Sequence, residues 1–402
     1  MTKAGFGRLV SLKEAFEIIE KNIYEIENEE ISLDDALGRV LSEDIIAEID
    51  VPHFKRSAMD GFAVIAEDTF NTSDVNPKEL EIIDSIHCGE ISKKKVTHGK
   101  CIEITTGAKI PDDANAVLMV EYTEKEKNKI KIYRSLAPGE NIITIGSDIK
   151  KGTRIFKKGT LLNPRYTGVL SALGISKIKV KRRPIISVLS TGNEILNPGE
   201  KLTDGRVYDV NSRTIIDSLK DRNCIVINLG IVRDDENEIK GKIINGIKNS
   251  DLIILSGGSS LGSEDMVEKI ISKLGKLLVH GIAVKPGKPT IIGKVNNKLV
   301  IGLPGNPTSA LSNYYILIKP VLDRMLGIRE RRKTIKAKLT RKVASTIGRY
   351  EFLPVKIVKD NAEPVMKGSN AITTLANADG FVEISENTEV LEKGSTVDVR
   401  LL

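Results

Sequence analysis

Between residues 183 and 328 the chain repeats one pattern four times, a short uninterrupted apolar run followed by an amphipathic stretch. The apolar runs are PIISVLS (184–190), CIVINLGIV (224–232), DLIILSGG (251–258) and KLVIGLPG (298–305). The stretches that follow are SRTIIDSLKDRN, DENEIKGKIINGIKN, SEDMVEKIISKLG and PTSALSNYYILIKPVLDRML. Strands that are apolar throughout, not on alternate residues, must be covered on both faces, and strand–helix alternation supplies that cover. The pattern predicts a doubly wound, mostly parallel sheet. Sheets of this kind bind ligands at the carboxyl ends of their strands.

The flanks read differently. Ser11-Leu-Lys-Glu14 is a capping box, and Leu12, Phe16, Ile19 and Ile23 recur on one helical face. A short helix is expected around Leu33 to Gly38. From 50 to 151 short β-rich runs (FAVIA, KELEIIDSI, CIEITTG, AVLMVEY, KIKIY) are punctuated by Asn, Asp, Pro and Gly. Asn163-Pro164 opens a helix that Gly174 ends. Beyond Arg331 the chain is β-rich again, which fits a small barrel or sandwich. The expected fold class is α/β multidomain: a central doubly wound sheet domain, a β-rich inserted domain and a small all-β C-terminal domain. The expected boundaries are 1–49 with 152–182 (helical, dimerising), 50–151 (inserted), 183–328 (ligand-binding α/β) and 329–402 (C-terminal).

A chain of 402 residues exceeds one compact core. No run of roughly 18 apolar residues is present, so no membrane span is expected, and MTKAGFGRLV lacks a signal-peptide core, which points to the cytoplasm. Cys88, Cys101, Cys224 and the four histidines are scattered, which argues against a disulfide scaffold or a zinc site. The net charge of +7 admits nucleic acid as a partner, but no stretch interleaves aromatics with Lys and Arg. Nucleic acid is therefore not expected, small anions fit the charge as well, and the basic run 324–342 reads as a solvated linker.

The residues that end the central runs carry chemistry. They are Ser190-Thr-Gly-Asn-Glu194, Ser256-Gly-Gly-Ser-Ser260, Lys285-Pro-Gly-Lys288-Pro289 and Leu303-Pro-Gly-Asn-Pro307. Backbone amides and hydroxyls of the Gly-Gly turn suit an oxyanion, and two lysines on a stiff turn supply fixed positive charge. Glu194 and Asp265 offer hard carboxylate oxygens of the kind that hold Mg²⁺ on phosphate. Each feature alone also reads as an ordinary turn or a solvated charge. Together they point to a crevice for a phosphorylated anion with Mg²⁺. Upstream, Asp60-Gly61 in HFKRSAMDGFAV reads either as a tight turn or as a functional carboxylate.

SAMDGFAV (57–64), ITTGAKIP (104–111), GENIITIGSDIKKG (139–152), STGNE (190–194), GIVRDDEN (230–237), SGGSSLGSEDM (256–266), VKPGKP (284–289) and GLPGNPTSAL (302–311) follow in one order. This series resembles the molybdopterin molybdenumtransferase family, MoeA and the gephyrin E domain, collinearly from about residue 8 onward. The resemblance implies an elongated homodimer that inserts molybdate into adenylylated molybdopterin and releases AMP with Mg²⁺. It implies that the loop around Ser57 and Asp60 of one protomer covers the central domain of the other. It assigns Thr106, Ser190, Gly257, Gly258, Ser259, Asn306 and Ser369 to substrate binding, with Lys285 and Lys288 as anion-binding lysines and Pro304 and Pro307 as the shaping turn. Asp60, Asp148, Asp234 and Asp265 become catalytic or sensitive carboxylates, and Glu194 with Asp265 the metal ligands. The adenylyltransferase of the same pathway is an expected partner.

Two positions depart from the family pattern. Gly281 stands where bacterial members often have lysine, and Pro354 replaces the second arginine of Arg-x-Glu-Phe-x-Arg. Fewer cations would weaken molybdate binding or favour tungstate. Rival readings are an adenylyltransferase built on the 183–328 domain, against which the 50–151 insertion argues, and a gephyrin-like scaffold dimer, which leaves the charged crevice unexplained.

Overall fold

The computed structural model describes residues 9–257, 263–328 and 334–402, with the side chains of 263–265 outside that description. The chain divides into two compact units. One holds Met1–Glu43, Lys158–Pro164 and Lys177–Leu402, and the other Asp44–Lys157 and Arg165–Ser176. Among the described residues no helix is long and apolar enough to cross a membrane.

Helix α1 (Leu12–Glu20) opens the first unit, and the Ser11 hydroxyl accepts the Glu14 amide as the capping box requires. Six strands make the main sheet of the second unit: β1 (Gly61–Val64), β2 (Lys78–Ile86), β3 (Lys100–Ile104), β4 (Ala116–Met119), β5 (Thr123–Glu126) and β6 (Lys129–Ile132). They form one sheet in the order β4-β1-β3-β2-β6-β5. Side chains alternate across it. Phe62, Val64 and Leu118 join one buried cluster, and Ala63, Ile102, Ile104 and Val117 join another. Helix α2 (Pro164–Ala172) ends where sequence placed its stop, with Gly174 at φ +73°.

The central domain runs β7 (Ile185–Thr191), α3 (Asn211–Asp221), β8 (Ile225–Val232), α4 (Glu236–Asn249), β9 (Leu252–Gly257), α5 (Ser263–Leu274), β10 (Lys276–His280), β11 (Val284–Lys285), β12 (Ile291–Val295) and β13 (Lys298–Leu303). Its sheet order is β8-β7-β9-β13-β12-β10. The first four strands are parallel, and β12 and β10 are antiparallel to their neighbours. Ile186, Val188, Ile254 and Ile301 pack with α3 on one face. Leu189, Ile253, Leu255 and Val300 pack with α4 and α5 on the other. The doubly wound reading holds. Strands β10 and β12 have no counterpart in that reading, because these two five-residue runs lie beside the longer apolar runs of α5 and β13.

Helix α6 (Pro307–Asn313) passes through a π turn at Tyr314–Ile318 into α7 (Lys319–Met325). A π turn shifts the helical register, and Pro320, which has no amide hydrogen to offer, follows directly after it. The C-terminal sheet is built from β14 (Thr334–Leu339), β15 (Tyr350–Val358), β16 (Asn361–Pro364), β17 (Gly380–Ile384) and β18 (Thr396–Leu401). They run β15-β16-β14-β18-β17, and β17 pairs back onto β15. The sheet therefore closes into a barrel, which leaves none of these five strands as a free edge. Phe352 and Phe381 of the barrel stack with centroids 4.2 Å apart and join the core of the central domain through Tyr315.

Candidate active site

Four features of the central sheet meet at one rim. Strands β7, β9 and β13 end there together, with Ser190 opposite Ser256 and Ser256 opposite Leu303. Because β12 runs antiparallel to β13, it starts at the rim where β13 ends. The Lys285–Pro289 turn, which leads into β12, therefore lies on the same rim, although it does not follow a strand of the central sheet. Instead β11 pairs with β15 of the barrel, Lys285 opposite Glu351.

That pairing changes the reading of Lys285. Its Nζ lies 3.2 Å from Glu351 Oε2, and the Ser345 hydroxyl donates to the same oxygen at 2.8 Å. Glu351 is buried, where a carboxylate must be paired to be tolerated, so this lysine is already partnered within the protein. The turn is fixed from behind by Asn313, whose Nδ2 donates to the Gly287 carbonyl (3.0 Å) and to Thr290 Oγ1 (2.6 Å). Lys288 accepts through its carbonyl from the amides of Ile282 and Thr290. Gly281, where the family often has lysine, takes φ +94°, a conformation that strains any side chain. The missing cation and the local backbone are thus one feature.

At the end of β7 the buried Ser190 hydroxyl donates to Asp209 Oδ2 at 2.7 Å. Asp209 also accepts the Ser212 amide at 3.0 Å, in the first turn of α3. Ser190 is thus an anchor for Asp209. Asn211 bridges the next two turns, its Nδ2 donating to Ser256 Oγ and to the Gly305 carbonyl, each at 2.8 Å. Asn306, in turn, donates to Ser369 Oγ at 3.2 Å, and the Thr308 amide donates to the Ser369 carbonyl. Ser369 therefore joins the rim through the Pro304–Pro307 turn, whose Pro307 starts α6. Asp209, Asn211 and Asn313 are absent from the residues singled out by sequence, and Glu351 enters there only as the acidic residue of the Arg-x-Glu-Phe-x-Arg pattern. The Asp-Val-Asn-Ser run (209–212) at the start of α3 carries a capping signal that marks the first two, but Asn313 has no local signature.

Two carboxylates, Asp234 and Glu194, stand on this rim, and neither forms an ion pair among the described residues, although Arg206 donates to the neighbouring Asn193 carbonyl. Asp234 has its pKa raised, first by burial and then by the negative charge of Glu194, while the Asn193 backbone opposes the shift. Its Oδ1 is buried and lacks a hydrogen-bond partner. Its amide donates to Asn193 Oδ1 at 3.3 Å, which holds it beside the Ser190–Glu194 turn. Two like charges with an orphaned oxygen fit a hard divalent cation. Among the described residues no cluster of three or more ligating side chains forms. Gly258 and Ser259 lie outside the described residues, and so does the carboxylate of Asp265, whose backbone lies in the first turn of α5. Gly257 is the last residue of β9, opposite Thr191.

In the second unit the two upstream motifs are joined. Ser57 donates its amide to the Ala108 carbonyl (3.0 Å) and accepts the Gly107 amide (2.8 Å). Its hydroxyl, buried, turns back to the Met59 carbonyl. Exposed Asp60 accepts both the amide (2.6 Å) and the hydroxyl (2.7 Å) of Thr106. These bonds, the amide first, hold the Asp60 carboxyl below its usual pKa. Gly61 does not take a positive φ. A side chain there would meet the Leu118 carbonyl at 1.9 Å, so the glycine serves close strand packing and not a turn. Asp148 is exposed, and its amide donates to the Val51 carbonyl.

Fold and rim together define a multidomain α/β protein with a polar, carboxylate-bearing crevice at the ends of its central strands. Residues 10–174 match the MoeA N-terminal region (domain I and II), 187–324 the probable molybdopterin binding domain, and 336–402 the MoeA C-terminal region (domain IV). A putative molybdopterin biosynthesis protein of Methanocaldococcus jannaschii is 35% identical over 98% of each chain. The molybdopterin molybdenumtransferase of Bacillus subtilis is 32% identical over 94% of this chain and 90% of its own. Among solved structures, a molybdopterin biosynthesis MoeA protein from Pyrococcus horikosii is 42% identical with a TM-score of 0.83, covering 98% and 99% of the two chains. The chain belongs to the MoeA family.

Proposed function

We propose that this protein is a molybdenumtransferase of molybdenum cofactor biosynthesis that takes adenylylated molybdopterin and molybdate and releases AMP with Mg²⁺. Two dithiolene thiols would replace two oxide ligands of molybdate, the oxides leaving with the thiol protons as hydroxide or water, and water would cleave the phosphoanhydride to leave the pterin phosphate and AMP. Every substrate group involved is anionic, which suits a rim of fixed amides, hydroxyls and lysine. The observation that carries the reading is the pair Glu194 and Asp234, whose mutual repulsion and orphaned oxygen ask for a cation. Bound there, Mg²⁺ would offset the charge that leaves with AMP.

Glu194 and Asp234, with Asp265, would hold that ion. Lys285 and Lys288 would receive oxyanions, the first by exchanging Glu351 for the ligand. Asn306 and Ser369 would close the rim from the barrel side. Asp60, kept ionised by Thr106, would orient a substrate donor; a carboxylate with a lowered pKa is a weak base. The protein would act in the cytoplasm as a homodimer in which the Ser57–Gly61 loop of one protomer faces the rim of the other, and would receive its substrate from the pathway's adenylyltransferase.

The test is AMP release from adenylylated molybdopterin with molybdate or tungstate, with and without Mg²⁺. Release that needs both the oxyanion and Mg²⁺ is expected. No release, or equal release after Mg²⁺ is chelated, refutes the reading.

A further inference from the structure

Ser256 is the final rim residue of β9 before Gly257; its side chain is buried, and among the described residues its hydroxyl has one partner. Asn211 Nδ2 donates to Ser256 Oγ at 2.8 Å. The orientation of the Asn211 amide is not arbitrary, because the same nitrogen also reaches the Gly305 carbonyl at 2.8 Å, and a carbonyl can only accept. With its oxygen serving as acceptor to Asn211, Ser256 must direct its own proton elsewhere. The Asn211 Oδ1 is buried and has no partner, so the amide is held for its donors at a cost to folding.

We propose that Asn211 is a positioning residue for the phosphate-binding rim: it fixes the polarity of the Ser256 hydroxyl so that Ser256 donates a hydrogen bond to a phosphate oxygen of the substrate. In the same act it sets the spacing between the β9 end and the Pro304–Pro307 turn. The residue sits at the start of α3, and the Ser190–Asp209–Ser212 bonds described above hold that helix end in place. The rim thus has a rigid internal strut, and its hydroxyl keeps one direction before the ligand arrives. Such preorganisation lowers the ordering cost of binding.

This inference rests on the reading of the rim as the site for the phosphates and AMP, and calorimetric titration with AMP and Mg²⁺ separates the two. Wild-type protein is expected to bind. Ser256→Ala removes the donor and should weaken AMP about 10-fold, the scale of one hydrogen bond to a charged group. Asn211→Asp turns the donor into an acceptor that captures the Ser256 proton and faces the Gly305 carbonyl, so it should weaken AMP at least as much. If Asn211 works through Ser256, Asn211→Asp should cost several-fold less in the Ser256→Ala background than in wild type. Equal cost in both backgrounds overturns the proposal, as does wild-type affinity in Ser256→Ala. Near-ultraviolet circular dichroism checks that each variant is folded; if Asn211→Asp is not, the Ser256→Ala measurement decides alone. Wild-type protein that binds no AMP overturns the reading of the rim, and the proposal with it.

Discussion

The protein carries two carboxylate sites with opposite electrostatics. On the rim of the central sheet Asp234 is half-buried beside Glu194, with one oxygen unpartnered and its pKa raised. In the loop pair of the second unit Asp60 is exposed, with both Thr106 donors on one oxygen and its pKa lowered. The first is a site in deficit, which the proposed cation would complete. The second is a charge already satisfied, available to orient a partner without being drawn into titration. A carboxylate's neighbours, more than its identity, decide whether it binds metal or positions a substrate.

The sharpest way to break the comparison is Asp60→Asn, which keeps the shape and one carbonyl oxygen for Thr106 but loses the charge. Unchanged melting temperature with AMP release down by about 10²-fold is expected, the loss typical of misplaced catalytic contacts. If release is unaffected, Asp60 is only a brace for the Thr106 loop.

A smaller effect is expected from Asp234→Asn. Removing one of two repelling carboxylates should shift the Mg²⁺ concentration for half-maximal AMP release upward about 10-fold, on the scale of one lost charged contact. An unshifted Mg²⁺ titration would put the cation elsewhere.

Thr106→Val sharpens the other side. It removes the hydroxyl bond and keeps the amide bond, which is the larger cause of the lowered Asp60 pKa. A loss of about threefold, roughly half of one neutral hydrogen bond's range, is expected in AMP release. A loss as large as that of Asp60→Asn would make the hydroxyl itself the reacting contact.

The smallest effect concerns pH. Asp234 has a folded-state pKa above its unfolded one, so between those two values the native state binds the extra proton. Stability without Mg²⁺ should therefore rise as pH falls through the folded pKa of Asp234, and be lower at neutral pH. Melting curves from pH 7 down to the carboxylate range, with and without Mg²⁺, should show a slope that Asp234→Asn and saturating Mg²⁺ both flatten. A slope of the same size in Asp234→Asn assigns it to other groups.

Local signals were read correctly where the physics is local. The α1 capping box, the Asn163-Pro164 start and Gly174 stop of α2, and the strand–helix alternation of 184–326 all depend on residues a few positions apart. Apolar continuity identified strands covered on both faces, and the crevice rule then located the rim. The two readings of Asp60-Gly61 stayed open in sequence, because a glycine looks alike there whether it serves positive φ or a close carbonyl, and only the approach of Leu118 distinguishes them.

By itself the sequence determined the layers, the rim-forming turns and the family, since periodicity fixes which face of an element is buried. Only the tertiary structure decided that β15 and β17 close a barrel, that Lys285 belongs to that barrel's ladder opposite Glu351, and that Asn211 ties two turns together. A period of two or of 3.6 tells a side chain which way to face but carries no record of the strand or turn that waits there, because that partner is chosen by the packing of residues distant in the chain.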